Sequence, residues 1–179
     1  MPRLFAYGHA LSLLSDLGRD VVPERARLGG WKAAFAAGSR AEWGTAANPA
    51  PILALVPGGS CRGMTVELSP EALAEALRRW SELEGADRAV ETPAEVGLPF
   101  RRDQESVSFL TVDPAGGQAL RGLPAERLAR MVVVARGRAG TGLDYLARLT
   151  RTMREWGLEE PAVTALWKEV EKERGEKWR

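Results

Sequence analysis

The sequence predicts an α+β fold in which strands come first and helices follow. In the first half of the chain, short apolar runs end at glycine or proline, a pattern typical of strands. In the last third, apolar residues recur every three to four positions, a pattern typical of amphipathic helices. The order of these segments favours an α+β protein over a doubly wound parallel sheet. A chain of 179 residues that is 45% hydrophobic can bury a substantial core, and we predict a single domain over residues 1–179.

The strand predictions depend on apolar runs and on the glycines between them. The predicted strands are residues 3–7, 25–35, 51–56, 61–68 and 106–113. The strand at 25–35 is expected to be irregular because Gly29-Gly30 permits a bulge or bend. The segments 51–56 and 61–68 flank Gly58-Gly59, and this pattern predicts a β-hairpin with its turn at the two glycines. Before residue 106 the sequence contains prolines and predicts a loop.

The helix predictions depend on apolar periodicity and on capping residues. The predicted helices are residues 70–84, 124–136, 142–156 and 161–174. The first of them has the clearest ends, because Ser69 is a natural N-cap, Pro70 suits the first helical position, and Gly85 can adopt the left-handed conformation that ends a helix.

Composition excludes several functional classes. The formal net charge is only +1, which makes nucleic acid an unsuitable partner because no broad basic surface can form. The single cysteine, Cys61, forms no internal disulfide and no thiolate metal cluster, and the scattered carboxylates lack the spacing of metal ligands. No apolar run is long enough to span a bilayer, and the first residues do not resemble a secretory signal. We therefore expect no membrane partner, no metal and a cytoplasmic location.

Glu84 is the first candidate functional residue because it falls on the apolar face of its helix. At about 100° per residue, it lies within about 40° of Leu73, Leu77 and Trp80, whereas Glu82 points the other way. A buried carboxylate must be hydrogen-bonded or protonated, and burial raises its pKa toward values useful in acid–base catalysis. The alternative is that the helix ends before residue 84 and that Glu84 turns outward.

The second candidate is the turn after the first strand, which contains His9, the only histidine of the chain. A strand that stops at Gly8 can curl so that several backbone N–H groups point at one place, and such turns bind anions. Most turns of this kind have no function, however, so the turn alone does not identify a site.

Taken in order along the chain, these features resemble the γ-glutamylcyclotransferase family, in particular its ChaC-like branch. The matching positions are Phe5, Tyr7 and Gly8; Arg27, Gly30, Trp31 and Phe35; Gly44, Thr45 and Pro49; Glu84-Gly85; and Gly140, Tyr145 and Leu146. The resemblance implies a mixed β-barrel with C-terminal helices. It also implies conversion of a γ-glutamyl compound, such as glutathione, to 5-oxoproline and the free amine, without any cofactor.

In this family the nucleophile is the α-amine of the substrate itself, so the protein needs no serine, cysteine or histidine nucleophile. The resemblance implies that Glu84 is the general base and that Tyr145 contacts the substrate. It further implies that the substrate is held by the loop that contains Tyr7, Gly8, His9, Ala10 and Leu11, mainly through backbone N–H groups. Two departures concern the pocket, because His9 replaces a family serine and Ala86-Asp87 replaces a glycine and an aromatic residue.

Two alternatives to the enzyme hypothesis follow from the residues. A nucleophilic pair of His9 and Cys61 is disfavoured because nothing in the sequence brings them together, and a lone cysteine in a strand is usually a small apolar filler. A non-catalytic γ-glutamyl-binding or regulatory module on the same fold remains open. Trp43 has no function that the sequence assigns, and the sequence leaves the oligomeric state unknown.

Overall fold

The structure is a computed structural model that describes residues 1–17, 21–85, 88–97, 104–113, 115–117, 119–120 and 122–177. The five strands are β1 (Arg3–Ala6), β2 (Glu24–Ser39), β3 (Ala50–Glu67), β4 (Arg88–Val96) and β5 (Gln104–Thr111). The helices are a short 3₁₀ turn (Gly8–Ala10), α1 (Leu11–Asp16), α2 (Pro70–Glu84), α3 (Ala125–Val134), α4 (Gly142–Glu155) and α5 (Pro161–Lys177).

The strands close into a barrel in the order β1-β3-β2-β4-β5. Strand β1 runs parallel to β5, with Leu4 opposite Ser108, and all other neighbours are antiparallel. Phe5 and Phe109, from the two parallel strands, are fully buried and pack edge to face. Helix α3 packs on α4 and α5, and α4 packs on the 3₁₀ turn that follows β1. The prediction of an α+β fold with a mixed barrel and C-terminal helices is confirmed.

The predicted hairpin between residues 51–56 and 61–68 is wrong, because both segments belong to one strand, β3. Strand β3 pairs along its whole length with β2, so that Ser39 faces Ala50 near one end and Glu24 faces Thr65 near the other. The glycines serve as a bulge in this long hairpin. Gly30 on β2 lies opposite Gly58 and Gly59 on β3, and all three have positive φ angles that glycine adopts readily. The true hairpin connection is residues 40–49.

Strand β4 lies where the sequence predicted a loop, and Pro93 explains the error. Proline cannot donate to a sheet ladder and is tolerated only where no partner requires its amide. Strand β4 pairs with β2 only through Glu95 and Val96, so the β2 side of Pro93 has no ladder partner in the described chain. Strand β2 is also longer than predicted. The predicted helices agree with the structure within a few residues, and none of the described helices is long and apolar enough to cross a membrane.

The close contact of β1 and β3 gives the first testable prediction. A Cβ atom at Gly63 would lie 2.5 Å from the carbonyl oxygen of Ala6 and 2.6 Å from Cζ of Phe5, whereas one at Gly29 would meet nothing within 4 Å. We expect Gly63→Ala to lower the free energy of unfolding by about 1–3 kcal/mol through overpacking. Gly29→Ala, the matched control, should change it by less than about 1 kcal/mol. Urea unfolding measures the free energy of unfolding of both variants. Equal losses in the two would show that the close contact of β1 and β3 at Gly63 does not limit the size of this side chain.

Candidate active site

Glu84 is the last residue of α2, and both ends of that helix fix its position. Ser69 Oγ accepts a hydrogen bond from the amide of Ala72 at the N-terminus. At the C-terminus Gly85 adopts a left-handed conformation, and its amide donates to the carbonyl of Ser81. The helix therefore includes Glu84, whose side chain is only 3% exposed. The predicted burial of Glu84 is confirmed, and the alternative in which it turns outward is wrong.

The buried carboxylate of Glu84 receives two hydrogen bonds. Trp80, one turn earlier on α2, donates its indole N–H to Oε2 at 2.8 Å, and the hydroxyl of Tyr145 donates to Oε1 at 3.1 Å. Burial raises the pKa of Glu84 from 4.5 to about 7, although both hydrogen bonds stabilise the charged form and oppose this rise. A carboxyl group with this pKa can accept and return a proton near neutral pH.

Tyr145 lies in the first turn of α4, where a capping box orders the helix start. Thr141 Oγ1 accepts from the amide of Asp144, and the Asp144 side chain accepts from the amide of Thr141. The Tyr145 hydroxyl accepts a hydrogen bond from the amide of Leu53 on β3 while it donates to Glu84. Tyr145 therefore ties the carboxylate of one helix to the backbone of the barrel.

Tyr7 connects the barrel backbone to the aromatic residues around Glu84. Its hydroxyl donates to the carbonyl of Leu110 at 2.9 Å and accepts from the amide of Leu55 at 3.2 Å. Its ring packs edge to face on Trp80, the indole that donates to Glu84, with ring centroids 5.2 Å apart. The hydroxyl is thus committed to barrel backbone, and the ring helps to hold Trp80 in place.

The loop after Tyr7 forms the 3₁₀ turn that the resemblance associates with substrate. Gly8 has a φ of 55°, which favours glycine, and a Cβ there would lie 3.2 Å from Leu53. The amides of Ala10 and Leu11 donate to carbonyls within the turn. The amides of Gly8 and His9 come first in the turn and bond to no acceptor among the described residues. Of the amides predicted to bind an anion, only those of Gly8 and His9 are therefore free of a partner among the described residues.

His9 lies against Glu84 with its imidazole among aromatic rings. Its Nδ1 is 3.8 Å from Oε1 of Glu84, and its ring packs edge to face on Trp43 and Tyr145. Burial and the nearby charge of Arg148 lower the pKa of His9 to about 4, so the imidazole is neutral at pH 7. The contact with Glu84 is therefore not an ion pair under these conditions.

Trp43 packs against the candidate site, and the sequence did not identify it. Its indole is 2% exposed and packs against the rings of His9 and Tyr145. The connection between β2 and β3 holds it there, since the amide of Trp43 donates to Oγ of Ser39. Residues 41 and 42 accept backbone hydrogen bonds from residues 138 and 139, which fasten this connection to the segment before α4. The adjacent Gly44-Thr45 was the nearest sequence signal, but it carried no information on the indole.

Cys61 has the properties of a packing residue. The thiol is buried in β3 and donates a weak hydrogen bond to the carbonyl of Arg62, and burial raises its pKa to about 12. A thiol with this pKa stays protonated and is a poor nucleophile at neutral pH. The described residues also contain no group of three or more histidine, cysteine or acidic side chains arranged to hold a metal ion.

The raised pKa of Glu84 predicts a pH-dependent stability. The folded pKa of about 7 lies above the ordinary 4.5, so the folded state disfavours the charged carboxylate and loses stability as pH rises through this interval. The full effect is about 3 kcal/mol. We expect Glu84→Gln to remove it, so that the variant gains stability over wild type at pH 8 relative to pH 5. Denaturant unfolding at both pH values measures this difference.

The matched control for this measurement is Glu82→Gln on the same helix. Glu82 is exposed and pairs with Arg78 on the helix surface, so its replacement leaves the buried carboxyl of Glu84 in place and the variant should follow the wild type. A Glu84→Gln variant whose stability follows the wild-type pH dependence would contradict the raised pKa.

Comparison with known proteins agrees with the fold. The model of the ChaC-like protein family matches residues 21–173. A yeast γ-glutamyl cyclotransferase specific to glutathione is 17% identical, with a TM-score of 0.79 over 97% of this chain and 99% of that chain. YkqA from Bacillus subtilis is 17% identical, with a TM-score of 0.57 over 95% of this chain and 54% of that chain. Curated proteins provide no significant sequence match. Since the family match spans most of the sequence, the chain belongs to the ChaC-like family.

Proposed function

We propose that the protein is a γ-glutamyl cyclotransferase, a lyase that converts a γ-glutamyl compound to 5-oxoproline and a free amine. The observation that supports this most is the buried carboxyl of Glu84, with a pKa raised to about 7. The imidazole of His9 lies 3.8 Å from it, on the turn whose Gly8 and His9 amides are unbonded within the described chain. The ChaC-like family match and the fold of the yeast enzyme support the same reaction. Glutathione is the first substrate to test, because the yeast protein is described as specific to it.

In the first step, Glu84 takes a proton from the α-ammonium group of the substrate. The freed amine attacks the γ-carbonyl carbon of the same molecule, a new C–N bond closes a five-membered ring, and the carbonyl oxygen becomes an oxyanion. Because both reacting groups belong to one folded molecule, much of the entropic barrier is already removed. The hydroxyl of Tyr145 and the indole of Trp80 hold the carboxylate in a single orientation for this transfer.

In the second step the oxyanion collapses and the C–N bond to the leaving amine breaks. Glu84 returns its proton to the leaving nitrogen, then takes the excess proton from the ring nitrogen and passes it to the departing amine. The products are the neutral lactam and a protonated amine, so the carboxylate is regenerated and no external acid is consumed. The amides of Gly8 and His9 are the donors that we assign to the oxyanion or to the bound substrate. Ala10 and Leu11, whose amides are used within the turn, shape the loop, and Tyr7 positions Trp80.

The proposed partner is therefore a small molecule, and the reaction needs no cofactor. We place it in the cytoplasm, because the single cysteine is typical of a chain that does not depend on disulfides.

Loss of the base should abolish turnover. We expect the purified protein to release 5-oxoproline from glutathione or from another member of a γ-glutamyl panel. Glu84→Gln keeps the size of the side chain and should lower kcat by about 10²–10⁴-fold because it removes the general base. Glu82→Gln, exposed on the same helix, should retain wild-type turnover. Chromatographic measurement of released 5-oxoproline gives the turnover of the wild type and of both variants.

Two results would change this assignment. If Glu84→Gln retained more than a tenth of the wild-type rate, Glu84 would not be the base. If the wild type cyclised nothing yet γ-glutamyl compounds raised its melting temperature, the protein would be a γ-glutamyl-binding module.

The pH profile should report the same carboxyl group. The value of kcat/KM should rise with pH and level off above about 7, because only the charged form of Glu84 accepts a proton. Tyr145→Phe removes a hydrogen bond that stabilises this charged form, so the midpoint should move to higher pH. A midpoint that stayed fixed while kcat fell would show that Tyr145 does not act through Glu84.

A further inference from the structure

Two buried nitrogen atoms at the candidate site have no hydrogen-bond partner. Among buried side-chain nitrogen and oxygen atoms in the described part of the chain, only Nδ1 of His9 and Nε1 of Trp43 are unpaired. The two rings touch, with centroids 5.9 Å apart, and both residues are more than nine-tenths buried. Unpaired buried polar atoms are uncommon because they lose hydration without compensation. The two residues occur together, and Nδ1 of His9 lies 3.8 Å from Oε1 of Glu84, which indicates a polar ligand.

The two atoms have opposite hydrogen-bonding character. The indole N–H of Trp43 can only donate, and the guanidinium of Arg148 lies over the indole ring at 5.2 Å, so this end of the cluster suits an anion. The neutral imidazole of His9 presents an acceptor at Nδ1 when its proton is on Nε2. This nitrogen faces the carboxylate of Glu84, so this end of the cluster suits a cation.

The spacing between His9 and Glu84 fits one ammonium group. The two acceptors, Nδ1 and Oε1, are 3.8 Å apart, too far for a hydrogen bond to each other. A nitrogen beside them can lie at about 2.9 Å from both and donate one N–H to each. Trp80 and Tyr145 already donate one hydrogen bond each to the Glu84 carboxylate. A substrate amine therefore approaches this carboxylate from the side of His9, where the imidazole offers a second acceptor.

We propose that His9 and Trp43 bind the α-amino-acid end of the γ-glutamyl group. Nδ1 of His9 accepts from the α-ammonium group, shared with Glu84, and Nε1 of Trp43 donates to the α-carboxylate, with Arg148 supplying nearby positive charge. This assignment rests on the proposed function and explains how the enzyme would select its substrate. The enzyme selects substrates by the ammonium and carboxylate groups on one carbon atom, at a subsite built from two side chains.

His9 also lies at the outer side of the cluster. It is 8% exposed, against 3% for Glu84, 2% for Trp43 and none for Tyr145. His9 is therefore the most exposed of these four side chains.

The test uses two substrates that differ in one group. The first is glutathione, or the best γ-glutamyl substrate of the wild type. The second is its 4-aminobutanoyl counterpart, which lacks only the α-carboxylate and would cyclise to 2-pyrrolidinone. Trp43→Phe removes the indole N–H and keeps an aromatic ring. We expect it to lower kcat/KM for the γ-glutamyl substrate by about 10–100-fold more than for the counterpart.

The His9 variants separate the amine contact from packing. Asparagine can place an acceptor oxygen close to the position of Nδ1, whereas leucine has a similar volume and no acceptor. His9→Leu should lower kcat/KM by about 10–100-fold for both substrates, because both carry the amine. His9→Asn should recover most of that loss. The assignment would be overturned if Trp43→Phe lowered kcat/KM equally for the two substrates. It would also be overturned if His9→Asn had a kcat/KM no higher than that of His9→Leu.

A binding measurement separates this inference from the proposed function. Melting temperatures of the wild type and of Trp43→Phe are recorded with and without glutathione and its 4-aminobutanoyl counterpart. If the wild type shows no turnover but glutathione alone stabilises it, and Trp43→Phe loses that stabilisation, the subsite stands and the cyclotransferase function fails. If turnover is present and the counterpart is cyclised as efficiently as glutathione by the wild type, the function stands and the subsite fails. If there is neither turnover nor stabilisation, both fail.

Discussion

The carboxylate of Glu84 lies in the protein interior, and its burial constrains the rest of the site. An unpaired buried charge is costly, so the fold must supply donors at fixed positions. It supplies them from two helices, through the indole of Trp80 on α2 and the hydroxyl of Tyr145 on α4. These donors reduce the cost without removing it, and the pKa of Glu84 settles near 7 rather than at its ordinary value. The pKa near 7 that is useful for catalysis thus results from burial, which raises it, and from two hydrogen bonds, which lower it.

Strand β3 links this balance to the barrel. Its backbone amides at Leu53 and Leu55 donate to the hydroxyls of Tyr145 and Tyr7. One tyrosine then orients Glu84 directly, and the other packs on Trp80, which does the same. The groups that touch the carboxylate are therefore held by regular secondary structure, which positions side chains more accurately than mobile loops do. The connection that carries Trp43 is fastened by backbone hydrogen bonds to the segment before α4, and α4 itself packs on the turn at residues 8–10.

The sequence predicted the parts of this arrangement that depend on local pattern. The burial of Glu84 followed from helical periodicity and from clear caps, and the barrel followed from the resemblance to a known family. The hairpin at Gly58-Gly59 was wrong because glycine pairs permit both turns and bulges, and only long-range pairing with β2 distinguishes them. Strand β4 was missed because Pro93 signals a loop unless the absence of a neighbour at that point is known. Trp43 was missed because its role arises from contacts with His9 and Tyr145, which are distant in sequence.

The reaction we propose asks for one protein base, since the substrate provides its own nucleophile, and the account therefore depends on the ionisation of a single carboxyl group. The most direct test is a ¹³C NMR titration of protein labelled at the glutamate side-chain carboxyl carbon, with the Glu84 resonance assigned by its absence from Glu84→Gln. We expect one resonance that titrates near pH 7, well above the ordinary range of glutamates. A Glu84 resonance that titrates near 4.5 would contradict it.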